Sequence, residues 1–374
     1  MRVQARRAGA LLGGLMFPAM SMADWTLNMS PGVTGTSNEI FDLHMTILWI
    51  CVVIGVVVFG IMFWSIFAHR KSPDRKPSNF HENTLVEILW TIIPLVILVV
   101  MAIPATATLV DMYDTTEAEI DIKVTGYQWR WKYDYIDSDF GYFSNIATSN
   151  DEIYNRTEKS EHYLLDVDNP LVIPTDTRVR LLITSNDVIH SWWVPAFGLK
   201  KDAIPGYINE IWTQVDEPGV YRGQCTELCG IKHGFMPVVV KAVPREEYDA
   251  WVTEQTAAAE AERELTQKDW SMAELMERGE KAYATACAAC HQPDGTGAPP
   301  AFPALKGSKI ALEDMDAHLD VVVNGVSGSA MQAFGNQLSE VDLAAVITYE
   351  RNAWGNNTCE MVTPKQVFDY KNQE

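Results

Sequence analysis

The loop Gln224-Cys225-Thr226-Glu227-Leu228-Cys229-Gly230-Ile231-Lys232-His233-Gly234-Phe235-Met236-Pro237 places two thiols, an imidazole and a thioether within a few residues of one another. Soft sulfur donors combined with imidazole select copper or zinc, and a thioether is used by copper far more than by zinc. Two cysteines with three residues between them can also direct both sulfurs into one site and bridge a pair of metals. A Cys225–Cys229 disulfide, chemically reasonable in an oxidising compartment, would leave His233 and Met236 without a role and would close too short a loop to contribute much entropy. The loop lacks a second imidazole. The best-placed further donor is His190, in Val188-Ile189-His190-Ser191-Trp192-Trp193-Val194-Pro195.

A second chemical signature is Cys287-Ala288-Ala289-Cys290-His291, the pattern of covalent c-type haem attachment: two thioethers and an adjacent proximal histidine. A zinc knuckle or a redox dithiol shares the cysteine spacing but not the immediate histidine. Met315, Met331 and His318 are candidates for the distal ligand. Met331 is favoured because Gly328-Ser329-Ala330-Met331-Gln332-Ala333-Phe334-Gly335 reads as a loop before a helix, which Ser339 caps and Glu340 and Asp342 open. A His–Met pair gives a high-potential haem. Of the other cysteines, Cys51 lies in an apolar stretch as a small hydrophobe and Cys359 is left over as a free thiol.

These groups need a scaffold outside the cytoplasm, and the chain provides one. Arg2, Arg6 and Arg7, the apolar run from Ala8 to Met20, and Ser21-Met22-Ala23 read as a signal peptide, with the mature chain starting near Asp24. Uncharged stretches at residues 45–68 and 88–110 are each long enough to cross a hydrocarbon core. Pro94 and Pro104 are tolerable in the second span, because neighbouring helices can satisfy the freed backbone groups. The basic connector between them, with His69, Arg70, Lys71, Arg75 and Lys76, predicts a cytoplasmic loop and both termini on the opposite side. Glu87 opens the second span, either solvated at the headgroups or marking a proton path.

From 118 to 243, short β-branched and aromatic runs separated by Asn169-Pro170, Pro174, Pro205-Gly206 and Pro218-Gly219 predict an antiparallel sandwich or barrel. Within Gly126-Tyr127-Gln128-Trp129-Arg130-Trp131-Lys132-Tyr133-Asp134-Tyr135 the alternation predicts one buried face. Residues 245–270, rich in Ala and Glu, read as a solvated helical linker, and an amphipathic helix leads into the haem signature. Acidic residues number 49 against 29 basic ones, a net charge of -20 carried by the chain beyond residue 110. That balance excludes a nucleic-acid binder and favours a basic partner.

The combination of Cys-x-x-x-Cys-x-x-x-His-x-x-Met with an upstream His-Ser-x-x-Val-Pro resembles the CuA domain of subunit II of haem-copper cytochrome c oxidases, over residues 38–244. The resemblance implies a dinuclear copper centre bridged by Cys225 and Cys229. His190 and His233 would be its terminal imidazoles, with Met236 and the Glu227 carbonyl as weak axial ligands. It further implies a magnesium held by the Glu227 carboxylate and Asp202 at the interface with subunit I. Trp129 would be the residue through which electrons arrive, and Glu87 the entrance of a proton path. The C-terminal part resembles a class I cytochrome c, with Gln332 where the distal loop often has proline.

The implied fold class is multi-domain: a two-helix transmembrane hairpin (24–110), an all-β cupredoxin-like CuA domain (111–244), a linker (245–270) and an all-α cytochrome c domain (271–374). The implied function is to pass electrons from cytochrome c through haem c and CuA to the oxygen-reducing centre of subunit I. Subunit III, a basic soluble donor and membrane lipid are the other implied partners, on the outer face of a bacterial-type plasma membrane. No oxygen-reducing ligand set is legible in the chain itself. Rival readings are the electron-accepting subunit of a CuA-containing nitric oxide reductase, a membrane-anchored redox sensor or copper carrier, and a quinol oxidase subunit, the last disfavoured by the intact copper ligands.

Overall fold

The computed structural model describes residues 28–70, 81–326, 328–335 and 337–371. The signal-peptide reading and most of the basic connector fall outside them. Two compact units share the chain, Met1–Ala250 and Trp251–Glu374.

The first unit begins with helices α1 (Gly35–Ala68) and α2 (Thr84–Met112), whose most apolar windows have mean hydropathies of 2.8 and 2.7 and bury nothing against the protein. At about 1.5 Å per residue both exceed the roughly 30 Å of a hydrocarbon core, so each projects beyond it. Both are longer than the uncharged stretches alone suggest because polar caps set their starts. Thr34 and Ser37 form a reciprocal capping box on α1, and the Asn83 side chain accepts from Val86 N on α2. Pro94 and Pro104 both lie inside α2.

Ten strands follow: β1 (Ile120–Tyr127), β2 (Arg130–Tyr135), β3 (Phe140–Ser144), β4 (Leu171–Pro174), β5 (Val179–Ser185), β6 (His190–Val194), β7 (Leu199–Ala203), β8 (Asn209–Thr213), β9 (Gly219–Cys225) and β10 (Pro237–Val243). They form two five-stranded sheets, ordered β3-β2-β1-β5-β8 and β4-β10-β9-β6-β7. The expected all-antiparallel pairing is only part of the result, since β1 pairs with β5 and β10 with β4 in parallel. Parallel neighbours need long crossovers, and here the chain supplies them by leaving one sheet and returning to it. The alternation in β2 buries Trp131, Tyr133 and Tyr135, and the run read as one strand from Tyr127 to Tyr135 is split by a turn at Gln128-Trp129. Each such side chain removed from water contributes roughly 2–3 kcal/mol.

Helix α3 (Asn150–Ile153) punctuates the long loop between β3 and β4, and α4 (Arg245–Leu265) follows β10. The stretch read as a solvated linker is helical, but its ends are engaged. Tyr248 is buried, and Glu262 accepts from Arg278 Nη2 at 2.5 Å and from Ser339 Oγ at 2.9 Å.

The second unit holds α5 (Met272–Ala286), α6 (Ala288–His291), α7 (Lys309–Glu313), α8 (Met315–Asn324), α9 (Glu340–Asn352) and α10 (Pro364–Lys371). Its core joins Tyr283, Leu319, Val322, Val323, Leu343, Val346 and Ile347. Helices α5 and α9 cross at Gly279, where a Cβ would come within 2.7 Å of Tyr349 Cβ.

Candidate metal centres

The β6–β9 ladder assembles the first centre. Trp192 pairs with Cys225 across it, which brings His190 at the start of β6 level with the loop that leaves β9. Cys225 Sγ lies 3.8 Å from Cys229 Sγ and 3.9 Å from His190 Nδ1, and Cys229 Sγ lies 3.5 Å from His233 Nδ1. The Glu227 carbonyl is 3.4 Å from Cys225 Sγ. Both thiols are free, too far apart for a disulfide bond of about 2.05 Å. Met236 is buried, and its carbonyl accepts from Cys225 N at 2.9 Å. The two sulfurs and His190 alone place three donor atoms within 4.8 Å of one another.

Two buried thiols this close cannot both ionise cheaply with protein groups alone. Burial pushes Cys225 up, but hydrogen bonds from His190 and from the Ser191 side of the site outweigh it and bring the thiol down to about 7. Burial and the Cys225 sulfur push Cys229 up to about 12. A bound cation relieves that conflict, because it stabilises both thiolates together. The donor set fits a pair of soft metal ions with thiolate bridges.

Residues that the sequence alone did not single out complete the setting. His190 is fully buried, and its Nε2 lies 2.9 Å from Asp187 Oδ1. Burial alone would lower its proton affinity, but the hydrogen bonds with Asp187 and Cys225 give a net rise. Asp187 also accepts from Gln128 N at 2.7 Å. Gly126 is backed directly by the imidazole, where a Cβ would sit 2.8 Å from His190 Cδ2. Gln128 Nε2 donates to the Cys229 carbonyl at 2.7 Å, and Trp129 Nε1 donates to the same oxygen at 3.1 Å. Gly230 has φ +117, and a Cβ there would meet the Trp129 ring at 3.0 Å, so glycine lets the copper loop lie on the indole. Asp187 follows a turn-forming Asn186 just ahead of His190, the one signal of its role in the sequence.

Asp202 and Glu227 are both exposed. Ser191 relates their segments, pairing with Asp202 across β6 and β7 while its carbonyl accepts from Thr226 N at 3.0 Å. Glu87 stands in the first turn of α2, where its carboxylate accepts from Asn83 N at 3.4 Å.

In the second unit, α5 starts on a Ser271–Glu274 capping box and ends at Cys287, and the one-turn α6 carries Cys290 and His291. His291 Nδ1 donates to the Pro303 carbonyl at 2.9 Å, which fixes the ring and leaves Nε2 as the free nitrogen. Met331, Met315 and Cys287 all pack against the same apolar core. The Met331 loop is pinned: Val326 N donates to the Met331 carbonyl at 3.0 Å and Met331 N to Ser329 Oγ at 3.1 Å. Gln337 Nε2 donates to the Ala333 carbonyl at 2.5 Å and reaches Gln332 Oε1 at 3.5 Å, stiffening the loop where proline is missing. His318, the third distal candidate, is buried, and its Nε2 lies 2.8 Å from Glu350 Oε2. Cys51 and Cys359 are exposed free thiols. The chemistry of two cysteines, an oriented histidine and a methionine loop on one apolar core fits a covalently held haem.

A copper-type thiolate and imidazole site on a β-sandwich behind two membrane-length helices, followed by a helical haem-binding unit, defines an electron-transfer subunit of a respiratory oxidase. The chain belongs to the cytochrome c oxidase subunit II family. The model for the subunit II periplasmic domain matches residues 120–243, that for the subunit II transmembrane domain residues 22–107, and that for cbb3-type cytochrome c oxidase subunit III residues 274–349. The chain is 39% identical over 253 residues to a probable cytochrome c oxidase subunit 2 of Rickettsia bellii, covering 67% of this chain and 93% of the relative. It is 39% identical over 245 residues to the mitochondrial subunit 2 of Vigna unguiculata, covering 64% and 65% respectively. The crystal structure of the periplasmic domain of subunit II from Bradyrhizobium japonicum shares 39% identity, with a TM-score of 0.35, and covers 38% of this chain and 98% of that one. The protein is therefore a membrane subunit of an oxidase complex, with a CuA-type domain and a fused cytochrome c domain, and its catalytic partner is subunit I.

Proposed function

We propose that this chain accepts electrons from a cytochrome c at its own haem c, passes them to a dinuclear copper centre, and delivers them to subunit I for reduction of oxygen to water coupled to proton transport. The observation that carries this reading is the convergence of Cys225, Cys229, His190 and His233, with sulfur–sulfur and sulfur–nitrogen separations of 3.5 to 3.9 Å. When bound, a thiolate-bridged copper pair supplies one-electron exchange with little change in geometry.

Cys225 and Cys229 would bridge the metals, His190 and His233 would terminate them, and Met236 and the Glu227 carbonyl would be the weak axial donors. The protein's work is to hold these groups still: Asp187 orients His190, and Gln128 and Trp129 fix the Cys229 carbonyl. Trp129, half-buried and bonded to a ligand's own backbone, is our assignment for the point where electrons reach the copper domain. Cys287 and Cys290 would carry the haem, with His291 and Met331 as axial ligands. The Glu227 carboxylate and Asp202 would hold magnesium at the subunit I interface, and Glu87 would open a proton path. Both folded domains would face the periplasmic or outer side, consistent with a basic connector opposite them, and their acidity suits a basic soluble donor.

The test is metal and haem content of the purified complex with its optical and EPR spectra. The expected result is two coppers and one haem c per copy of this chain, with a delocalised mixed-valence copper signal. Zinc at the site, or a Cys225–Cys229 disulfide, overturns the reading.

A further inference from the structure

The loop that follows the haem-signature histidine is held from near the other end of the cytochrome unit. From His291 the chain runs through residues 292–308 to α7, and His291 Nδ1 donates to the Pro303 carbonyl within that loop. The acceptor sits in a crowded spot. A Cβ on Gly297, whose φ is +66, would come within 2.5 Å of the Pro303 oxygen, so glycine lets the first limb of the loop lie against the second. Gly297 N donates back to the His291 carbonyl at 2.9 Å, and the Gly295 carbonyl accepts from Leu305 N and Lys306 N, both at 2.9 Å.

A polar tie from the second limb to the helical core is Asn356, four residues past the end of α9. It is 5% exposed, and both amide hydrogens are used: Nδ2 donates to the Leu305 carbonyl at 3.1 Å and to the Glu350 carbonyl at 2.7 Å. Its Oδ1 accepts from Gly307 N at 2.9 Å. One side chain thereby joins the last turn of α9 to residues two and four positions beyond the acceptor of His291. Truncating it would strand two carbonyls and an N–H, each costly to leave unpaired, so the limb would have to open to water.

We propose that Asn356 is a positioning residue for the proximal histidine: by pinning Leu305 and Gly307 to α9, it keeps the Pro303 carbonyl on His291 Nδ1. A ligand histidine that donates to a carbonyl is the more basic donor to its metal, which favours the ferric state and holds down the potential of the cytochrome unit. This role rests on the reading that His291 binds haem iron.

The experiment is redox titration of haem c in the full complex for the parent and Asn356→Ala, after mass spectrometry of the peptide holding Cys287 and Cys290. Asn352→Ala is the matched control. Its amide staples the same helix end elsewhere, donating to the Thr348 and Glu360 carbonyls at 2.8 and 2.9 Å and accepting from Cys359 N at 2.9 Å. Removing it deletes a comparable set of bonds and leaves the Pro303 limb alone. Thermal melts of both variants should fall, but the potentials should part. In Asn356→Ala the weakened hydrogen bond should shift the reduction equilibrium about threefold toward the ferrous form, a rise of about 28 mV. Asn352→Ala should stay within about 1.5-fold of the parent, well inside the effect of one such bond. An unchanged or lower potential in Asn356→Ala, or an equal rise in Asn352→Ala, overturns the proposal. Should Asn356→Ala not accumulate, hydrogen exchange in the parent complex decides. The amides of Leu305, Lys306 and Gly307 should then exchange as slowly as those in the middle of α9, and exchange at the rate of an unheld loop overturns the proposal. A parent peptide without haem refutes the haem reading instead.

Discussion

Gly126→Ala offers a demanding test of how the copper site is built. Gly126 sits one residue before the end of β1 but is paired on both sides, with Trp131 and with Ser185, so its backbone cannot retreat. An added methyl would stand 2.8 Å from His190 Cδ2, against a normal carbon contact of about 3.5 Å. The imidazole must therefore give way by about 0.7 Å, several times the roughly 0.2 Å by which ligand distances can depart from ideal. It has nowhere to go, because His190 is fully buried, packs edge-on to Trp131 at 5.9 Å and is bound to Asp187. Overpacking of this kind costs about 1–3 kcal/mol, and a misplaced ligand should weaken metal retention about 10–100-fold. The assay is copper content after challenge with a chelator, together with the EPR spectrum of the purified complex. Gly234→Ala is the control, since its added methyl meets nothing within 4 Å although it neighbours His233. A Gly126→Ala complex with normal copper retention and an unchanged spectrum would refute the claim that His190 is a ligand held by close packing.

Asp187→Asn removes the charge that orients His190, and copper loss to a chelator should accelerate about 10–100-fold while the sandwich stays folded by circular dichroism. Met331→Leu should abolish the methionine-ligated signature in the optical spectrum of oxidised haem c, whereas Met315→Leu should retain it; the reverse pattern would exchange their roles. Hydrogen bonds from Lys268 and Ser271 hold the Glu274 carboxyl down to about 2. Because its proton affinity is depressed by folding, the stabilisation is present above about pH 4.5 and is lost as pH falls toward 2. Thermal melts of Glu274→Gln should therefore lie below the parent at pH 6 and converge with it near pH 2. Raising ionic strength should slow reduction by a basic donor, because the acidic surface steers encounter; a salt-independent rate removes the steering claim.

What could be read in the sequence depended on how local each feature is. Cys225, Cys229, His233 and Met236 fall in one loop, and Cys287, Cys290 and His291 in one turn, so their chemistry is written in consecutive letters. The two apolar helices were legible for the same reason, although their capped starts at Thr34 and Asn83 extend them past the uncharged stretches. Asp187, Gly126 and Gln128 were not legible as parts of the copper site. Gln128 and the Cys229 carbonyl it binds are 101 positions apart, brought together where the β1–β2 turn of one sheet meets the loop leaving β9 in the other rather than by any periodicity. The parallel pairings escaped too, because alternation reveals which face of a strand is buried but not the direction of its neighbour. His318 was legible as a candidate haem ligand, but its contact with Glu350, 32 positions later, was not.

The start of α1 bears on any attempt to isolate the copper domain. Val33 N donates to the Ala196 carbonyl at 3.3 Å, the Thr34 hydroxyl to the Phe197 carbonyl at 3.2 Å, and Asp216 N to the Val33 carbonyl at 3.2 Å. A few residues on the N-terminal side of the first membrane helix thus finish the hydrogen bonding of the turn that follows the His190 strand. A soluble fragment cut after the second helix would begin with that seam open, so grafting residues 30–37 back onto it is the repair the architecture calls for.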